Sequence, residues 1–469
     1  MLIRGADLWG HGLGDLRVAG GRIAALGQGL VHAPGEALVE ARGGALLPGL
    51  HDHHIHLLAW AAAQASVACG PPAVADESAL ISALRQAAAR LPPGAWLRGV
   101  GYHESVAGEI DRDWLDQALR DYPEVPVRIQ HRGGRLWIFN SRGLDAIGDS
   151  TEGPFEYREG RCTGRLYEGD AWLRTRLPGQ RSSLAAVSTY LARRGVTSVT
   201  DTTPGNDAAA YEHFAQTQVR GELRQRLVVM GGEDLAHGVA LDCLRPGPCK
   251  IHLLESNLPD FDATVARIAA SHALGRSVAV HCVTRTELHF TLAALEAAGT
   301  LAGDRIEHGA VVPPDALSMI ARLGLSVVSQ PAFITERGDQ YLSDVDPDDR
   351  PWLYRLRGLV DAGIALAAGS DAPYGSADPW GAMAAAVSRR TRAGAYIGTA
   401  EALNPDQALA LFRPDPFSPL AMPALTVGMP ADLCLLDRPW SAAAADMDKV
   451  EVCATWRDGE CLWREGEEG

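Results

Sequence analysis

The sequence predicts an α/β fold: a (β/α)8 TIM barrel with a small composite β-sandwich domain from both termini and an α+β insertion after barrel strand 1. Three observations point there. From residue 196 onward, short β-branched runs alternate with helix-length amphipathic stretches, the rhythm of β/α units whose parallel strands need long connections. Both chain ends read instead as hairpins. Between 60 and 185 the rhythm is broken by prolines, tryptophans and the glycine-rich HRGGRLWIFN.

Residues 1–48 set short apolar runs between glycine turns (LRVAGGRIAAL, then ALVEARGGALLPG). Residues 422–469 do the same: ADLCLLDRP is a strand stopped by proline, and VCATWRDGECLW is a hairpin turning at Asp458-Gly459. Neither end alone carries enough strands to bury a sheet face, so the two are expected to build one β domain together. The span 49–421 is left for the barrel, with 60–185 inserted into it.

Strand candidates are ALLPGLHDHHIH and then the runs at 95–103, 125–132, 196–203, 226–231, 249–255, 277–284, 304–309, 325–331 and 364–373. A barrel takes eight, so the 95–103 and 125–132 runs are assigned to the insertion. Stretches such as DESALISALRQAAARL, FDATVARIAASHAL and TELHFTLAALEAAG supply helices. An open doubly wound sheet would want a glycine-rich dinucleotide turn after the first strand, where this chain has histidines.

Composition narrows the function. With 469 residues, 46% hydrophobic and 22% charged, the chain can bury a large core. Its formal charge of -15 and lack of long basic runs argue against nucleic acid. No apolar stretch reaches the roughly eighteen residues that span a bilayer, and no leader pattern opens the chain, so a cytoplasmic protein is expected. Eight cysteines without C-x-x-C spacing fit a reducing compartment rather than a disulfide or thiolate-zinc framework.

The chemistry is concentrated at predicted strand ends. Strand one closes in His51-Asp52-His53-His54-Ile55-His56. Side chains alternate along a strand, so His54 and His56 share a side and can hold a divalent metal as neutral imidazoles. His51 and His53 have the opposite parity and are expected to pack. Other strand ends offer His281, His308 and Asp371, and active sites of such barrels draw on several strand ends at the C-terminal face. Lys250 stands out because it and Lys449 are the only lysines among 43 basic residues. It is read as opening a strand, and an amine there can form a carbamate that bridges two metal ions, which a guanidinium cannot do.

These residues carry a resemblance. PGLHDHHIHL resembles the strand-one metal motif of the amidohydrolase superfamily, and the AVH, RIEH and GSDAP segments resemble its strand-five, strand-six and strand-eight ends. WLRGVGYHE, PVRIQHR, FNSRGLDAIG, RIEHG, VSQP and GSDAPYGSADPW are together similar to the amidohydrolase 3 branch, which includes metal-dependent hydrolases of N-substituted formamides. The resemblance covers nearly the whole chain. It implies two zinc ions per chain: one on His54, His56 and Asp371, a second on His281 and His308, and a carbamylated Lys250 between them. It further implies metal-activated hydroxide attacking an amide or cyclic amide, with Asp371 moving the proton.

Substrate contacts are expected from His103, His131, Arg135, Trp137, Gln330 and Tyr374, and Glu168 is a further carboxylate of the insertion. Relatives often carry histidine where Arg135 stands, and a guanidinium there favours a substrate with an acidic group. Cys282, of opposite parity to His281, is expected to be inert. The expected partner is a small amide-type molecule, with homo-oligomer formation left open. Two alternatives remain at this point: a mononuclear hydrolytic deaminase using the histidines and Asp371 alone, and a non-catalytic scaffold, which the full set of ligand-type residues disfavours.

Overall fold

The computed structural model describes residues 1–148, 153–177, 182–235, 242–415 and 420–466. The chain divides into two compact units, Met1–Leu57 with Leu184–Gly469, and Leu58–Ser183.

In the first unit eight parallel strands follow one another in chain order. They are β1 (Leu50–Ile55), β2 (Val196–Asp201), β3 (Arg226–Gly231), β4 (Leu244–Ile251), β5 (Val278–Cys282), β6 (Arg305–His308), β7 (Ser326–Ser329) and β8 (Leu366–Ala368). Each pairs in parallel with the next, as Val280 does with Ile306 and Val328 with Ala367. The result is the nearly closed (β/α)8 barrel that the β/α rhythm predicts. Strands β1, β6, β7 and β8 bury every residue, as strands covered on both faces must. Helices Phe261–Ala273 and Arg285–Ala298 flank β5, where FDATVARIAASHAL and TELHFTLAALEAAG place them. Their starts are set by the chain: Asp260 accepts from Ala263 N, and Thr284 with Glu287 forms a reciprocal capping box.

One strand differs from its expected bounds. β4 begins at Leu244, ahead of the predicted 249, with Leu227 opposite Leu244 and Val229 opposite Pro246. Pro246 and Pro248 lack ladder donors and make this stretch read as a loop. Lys250 therefore does not open a strand. It is the penultimate residue of β4 and stands, like the histidines, at the C-terminal end.

The seam between β8 and β1 is closed by the residues just beyond β8. Asp371 N donates to His54 O at 2.7 Å, and His56 N to Ala372 O at 2.9 Å. Asp52 adds a side-chain stitch, its Oδ1 accepting from Ser370 N at 3.0 Å and His54 N at 3.1 Å. Gly369 permits this approach, because a Cβ there would stand 2.3 Å from His54 N and 2.4 Å from His54 Cβ.

The termini do share one domain, in the form of a mixed sheet. Its two ends join where Leu433–Leu436 pairs antiparallel with Ala45–Pro48. Ile3, Leu16, Ile23, Leu46, Leu433 and Trp456 meet in its core. Asp458 and Gly459 turn the last hairpin with φ of 48° and 75°, the left-handed pair that a two-residue loop needs.

The second unit carries its own six-stranded sheet. The two surplus strand candidates lie in it as parallel neighbours, Leu97–Tyr102 beside Val127–His131. The hairpin Phe155–Arg158 and Arg161–Tyr167 also belongs to this sheet and carries no expected strand. Its turn is Glu159-Gly160, with φ of 50° and 74°, and glutamate is a weak signal for a left-handed position. Among the described residues no helix is long and apolar enough to cross a membrane.

Gly369→Ala should destabilise the chain by on the order of 1–3 kcal/mol, the range for overpacking a close contact. Gly381→Ala, in helix Pro379–Ser388 with nothing within 4 Å of its Cβ, should be neutral or slightly stabilising. Chemical denaturation of both variants checks this; equal midpoints would refute the seam argument.

Candidate metal centre

The seam brings together the first two candidate ligands. His54 is the penultimate residue of β1 and Asp371 follows β8, and the His54 carbonyl accepts from the Asp371 amide directly. Asp371 has φ of 56° and His308, at the end of β6, has φ of 70°. Left-handed backbone is uncommon for residues other than glycine. At His308 it breaks strict alternation, so that Glu307 and His308, though adjacent, both reach His54. His54 Nδ1 lies 2.5 Å from Glu307 Oε2, and the His54 and His308 ring centroids are 4.8 Å apart.

One ligand atom each from His54, His308 and Asp371 lies within 4.8 Å of the others, and all three residues are buried. His54 Nδ1 is committed to Glu307, and His308 Nδ1 lies 2.7 Å from Gln330 Oε1. These bonds leave each Nε2 as the candidate coordinating atom, the arrangement in which a ring N–H held by an oxygen would orient a metal-binding imidazole. Nε2 of His54 and of His56 approach the same Asp371 oxygen, at 3.4 and 3.2 Å. Buried lone pairs converging in this way need a cation or proton among them. The donor set therefore fits a divalent metal with nitrogen and oxygen ligands.

Burial and the nearby Lys250 oppose charge on His54, yet the Glu307 and Asp371 carboxylates raise its pKa, so a bound cation would take the place of a proton there. Burial opposes charge on Asp371, but hydrogen bonds from His54 and His56 and the neighbouring histidines hold its carboxyl well below the usual range. Burial, then nearby His54, pushes His308 down to about 3, so its imidazole is neutral. Glu307 is ionised despite burial, first through Arg305, whose Nε donates to Oε1 at 2.5 Å. Arg305 also donates to the His53 carbonyl at 3.0 Å. Arg305, Glu307 and His54 thus form one buried compensated chain.

The other predicted residues fall into three places. His56, Gln330 and Tyr374 sit around the group: His56 Nδ1 is 2.9 Å from Thr203 Oγ1, and its ring is 5.6 Å from that of Tyr374. His281 packs edge-on against His308 at 4.4 Å and against His252 at 4.5 Å. His103, His131, Arg135 and Trp137 belong to the second unit and are engaged there. His103 caps helix Glu104–Ala107, His131 Nε2 is 3.1 Å from Glu104, Arg135 is 3.6 Å from Glu168, and Trp137 Nε1 donates to Asp170 at 3.0 Å. His51 and His53 pack as their parity predicts, stacked at 4.0 Å. Cys282 is buried, and burial pushes its thiol up to about 12.

The cofactor expectation is corrected. Two zinc ions bridged by a carbamylated Lys250 require two ligand sets, whereas one group, His54, His308 and Asp371, is present among the described residues. Lys250 is 2% exposed, its Nζ has no hydrogen-bond partner, and burial lowers its pKa. A single metal position is what the side chains provide. Three contributors were missed at the sequence level: Glu307, Arg305 and Asp52. The period-two alternation of RIEH already puts Arg305 and Glu307 on one face, which was the available signal.

Replacing Glu307 by Gln should keep the shape but loosen His54, lowering metal affinity about 10–100-fold, the usual effect of losing such an orienting partner. Metal titration of the apo protein measures this; unchanged affinity would remove Glu307 from the centre.

Comparisons with known proteins agree with the architecture. An N-substituted formamide deformylase of Arthrobacter pascens is 25% identical, the match covering 94% of this chain and 93% of that protein. An uncharacterised metal-dependent hydrolase from Pyrococcus horikoshii OT3 superposes with a TM-score of 0.75 at 18% identity, covering 93% of this chain and 97% of that one. Its counterpart from Pyrococcus furiosus gives 0.71 at 20% identity, covering 93% and 98%. The model of the amidohydrolase family, Amidohydro_3, matches residues 37–463, and the chain belongs to that family.

Proposed function

We propose that this protein is a metal-dependent hydrolase of a non-peptide carbon–nitrogen bond that works with one metal ion, held by His54, His308 and Asp371. The observation that carries the reading is the one buried group of candidate ligand atoms, among the described residues, within 4.8 Å of one another. It favours mononuclear hydrolytic deamination over hydrolysis at a bridged two-metal centre. Amide hydrolysis is the second reading, supported by the similarity to a protein named for deformylating N-substituted formamides. Zinc suits two imidazoles and a carboxylate.

A divalent cation bound by these side chains supplies Lewis acidity, which makes water a stronger nucleophile near neutral pH and polarises the carbon under attack. The chain's own contribution is order and proton movement. Glu307 fixes the His54 ring, and Gln330 fixes that of His308. Asp371, held ionised, accepts the proton of the attacking water on its carboxylate and returns it to the leaving nitrogen as the C–O bond forms and the C–N bond breaks. Low exposure of the group keeps bulk water from competing.

Elemental analysis of protein loaded with zinc and desalted should give one metal per chain, and a chelator should abolish turnover; two tightly held ions would overturn the one-metal reading. A panel of amides, cyclic ureas and amino-substituted heterocycles, scored for ammonia against carboxylate, separates deamination from amide cleavage. Asp371→Asn should lower kcat by at least about 100-fold, the scale of a lost general acid–base.

A further inference from the structure

A cavity of about 500 Å³ opens at the C-terminal end of the barrel. It lies where the ends of β5 and β6 face the chain that follows helix Ala332–Asp344. Val283, two residues past His281, and Val311, three past His308, are on one side, with Val345 and Leu353 also in the lining. Backbone holds the walls together: Val311 bridges to Leu353, and Tyr354 N donates to Ala310 O at 2.8 Å. Ala310, two residues past His308, is also in the lining. Tyr354 lines the cavity, and its phenol is pushed well up by burial, then by Tyr341.

The lining has a definite chemistry. Val283 leaves 40% of its aliphatic surface exposed. The hydroxyls of Tyr341 and Tyr354 are 3.1 Å apart. Two hydroxyls carry two protons and use one between them, so one remains to be donated to a ligand. The charges are one-sided. Among the lining residues Glu255, Asp344, Asp346, Asp348 and Asp349 stand against Arg285, which is ion-paired with Asp349, while Arg350 behind the wall donates to the Val345 carbonyl. An anion entering here meets repulsion, whereas an uncharged or cationic group does not.

We propose that this cavity receives the non-reacting part of the substrate and selects an aryl or branched-alkyl group that is uncharged or positively charged, with the Tyr341–Tyr354 pair donating to its heteroatom. This deepens the hydrolase reading and rests on it for the reacting end of the substrate. It reverses the preference for an acidic substrate that Arg135 suggests in the sequence; that guanidinium is 3.6 Å from the Glu168 carboxylate.

Benzyl alcohol, benzylammonium and benzenesulfonate share a ring and differ in charge, so calorimetric titration with the three tests the proposal without a known substrate. The alcohol and the ammonium should bind the metal-free protein, and the sulfonate at least tenfold more weakly. Val283→Trp, at an exposed position, should weaken both binders at least tenfold while leaving metal content unchanged, and Val345→Trp should do the same from another part of the lining. Tyr341→Phe should weaken the alcohol severalfold. Equal binding of all three compounds, or binding indifferent to both tryptophans, overturns the proposal. A wrong metal stoichiometry with intact charge selectivity would instead sink the one-metal reading and leave the cavity assignment standing.

Discussion

The centre depends on the seam where the last barrel strand meets the first. A parallel barrel closes only if those two backbones come within hydrogen-bonding reach, and here the contact is made by the residues past β8 rather than by the strand itself. Gly369 has no side chain to hold the chains apart, and the Asp371 amide then reaches the His54 carbonyl at 2.7 Å. Closure of the fold and assembly of the ligand group are thus one event. His54 and Asp371 are 317 positions apart in the chain, and no local preference could bring them together.

The second requirement is charge compensation in a region with little water. Burying an ion is unfavourable by several kcal/mol unless partners are in place. The chain meets this by linking Arg305 to Glu307 and Glu307 to His54, each at 2.5 Å, so that every charge has a neighbour of opposite sign or a strong donor. Asp52 illustrates the other outcome. Burial pushes its carboxyl up to about 6 even though it accepts bonds from Ser370 and His54. It stitches the seam, whereas Asp371, surrounded by histidines, is held ionised and stands as a candidate ligand.

Lys250 shows how a sound residue-level argument is limited by geometry. Its rarity in an arginine-rich chain does mark it as special, since it is buried at the end of β4 among the residues of the centre. A bridging carbamate, however, needs ligands on both sides. His281 packs its ring edge-on between His252 and His308, and the converging atoms belong to His54, His308 and Asp371. Which side chains share a volume is a property of register and backbone twist, and neither is encoded in residue type.

Sequence by itself determined the barrel, the pairing of the two termini and the placing of strands 95–103 and 125–132 in an insertion, because all three follow from local periodicity and turn chemistry. It also marked His54, His308 and Asp371, since ligand-type residues at strand ends must meet at one face. It could not start β4 at Leu244, because two prolines imitate a loop, or foresee the Glu159-Gly160 turn. Only the tertiary structure gathered His54, His308 and Asp371 into one candidate group, made Glu307 the partner of His54, and shaped the acidic, partly apolar cavity beyond β5 and β6. The first two depend on left-handed backbone at His308 and Asp371 and on contacts across the seam, where long-range packing overrides the alternation read along a single strand.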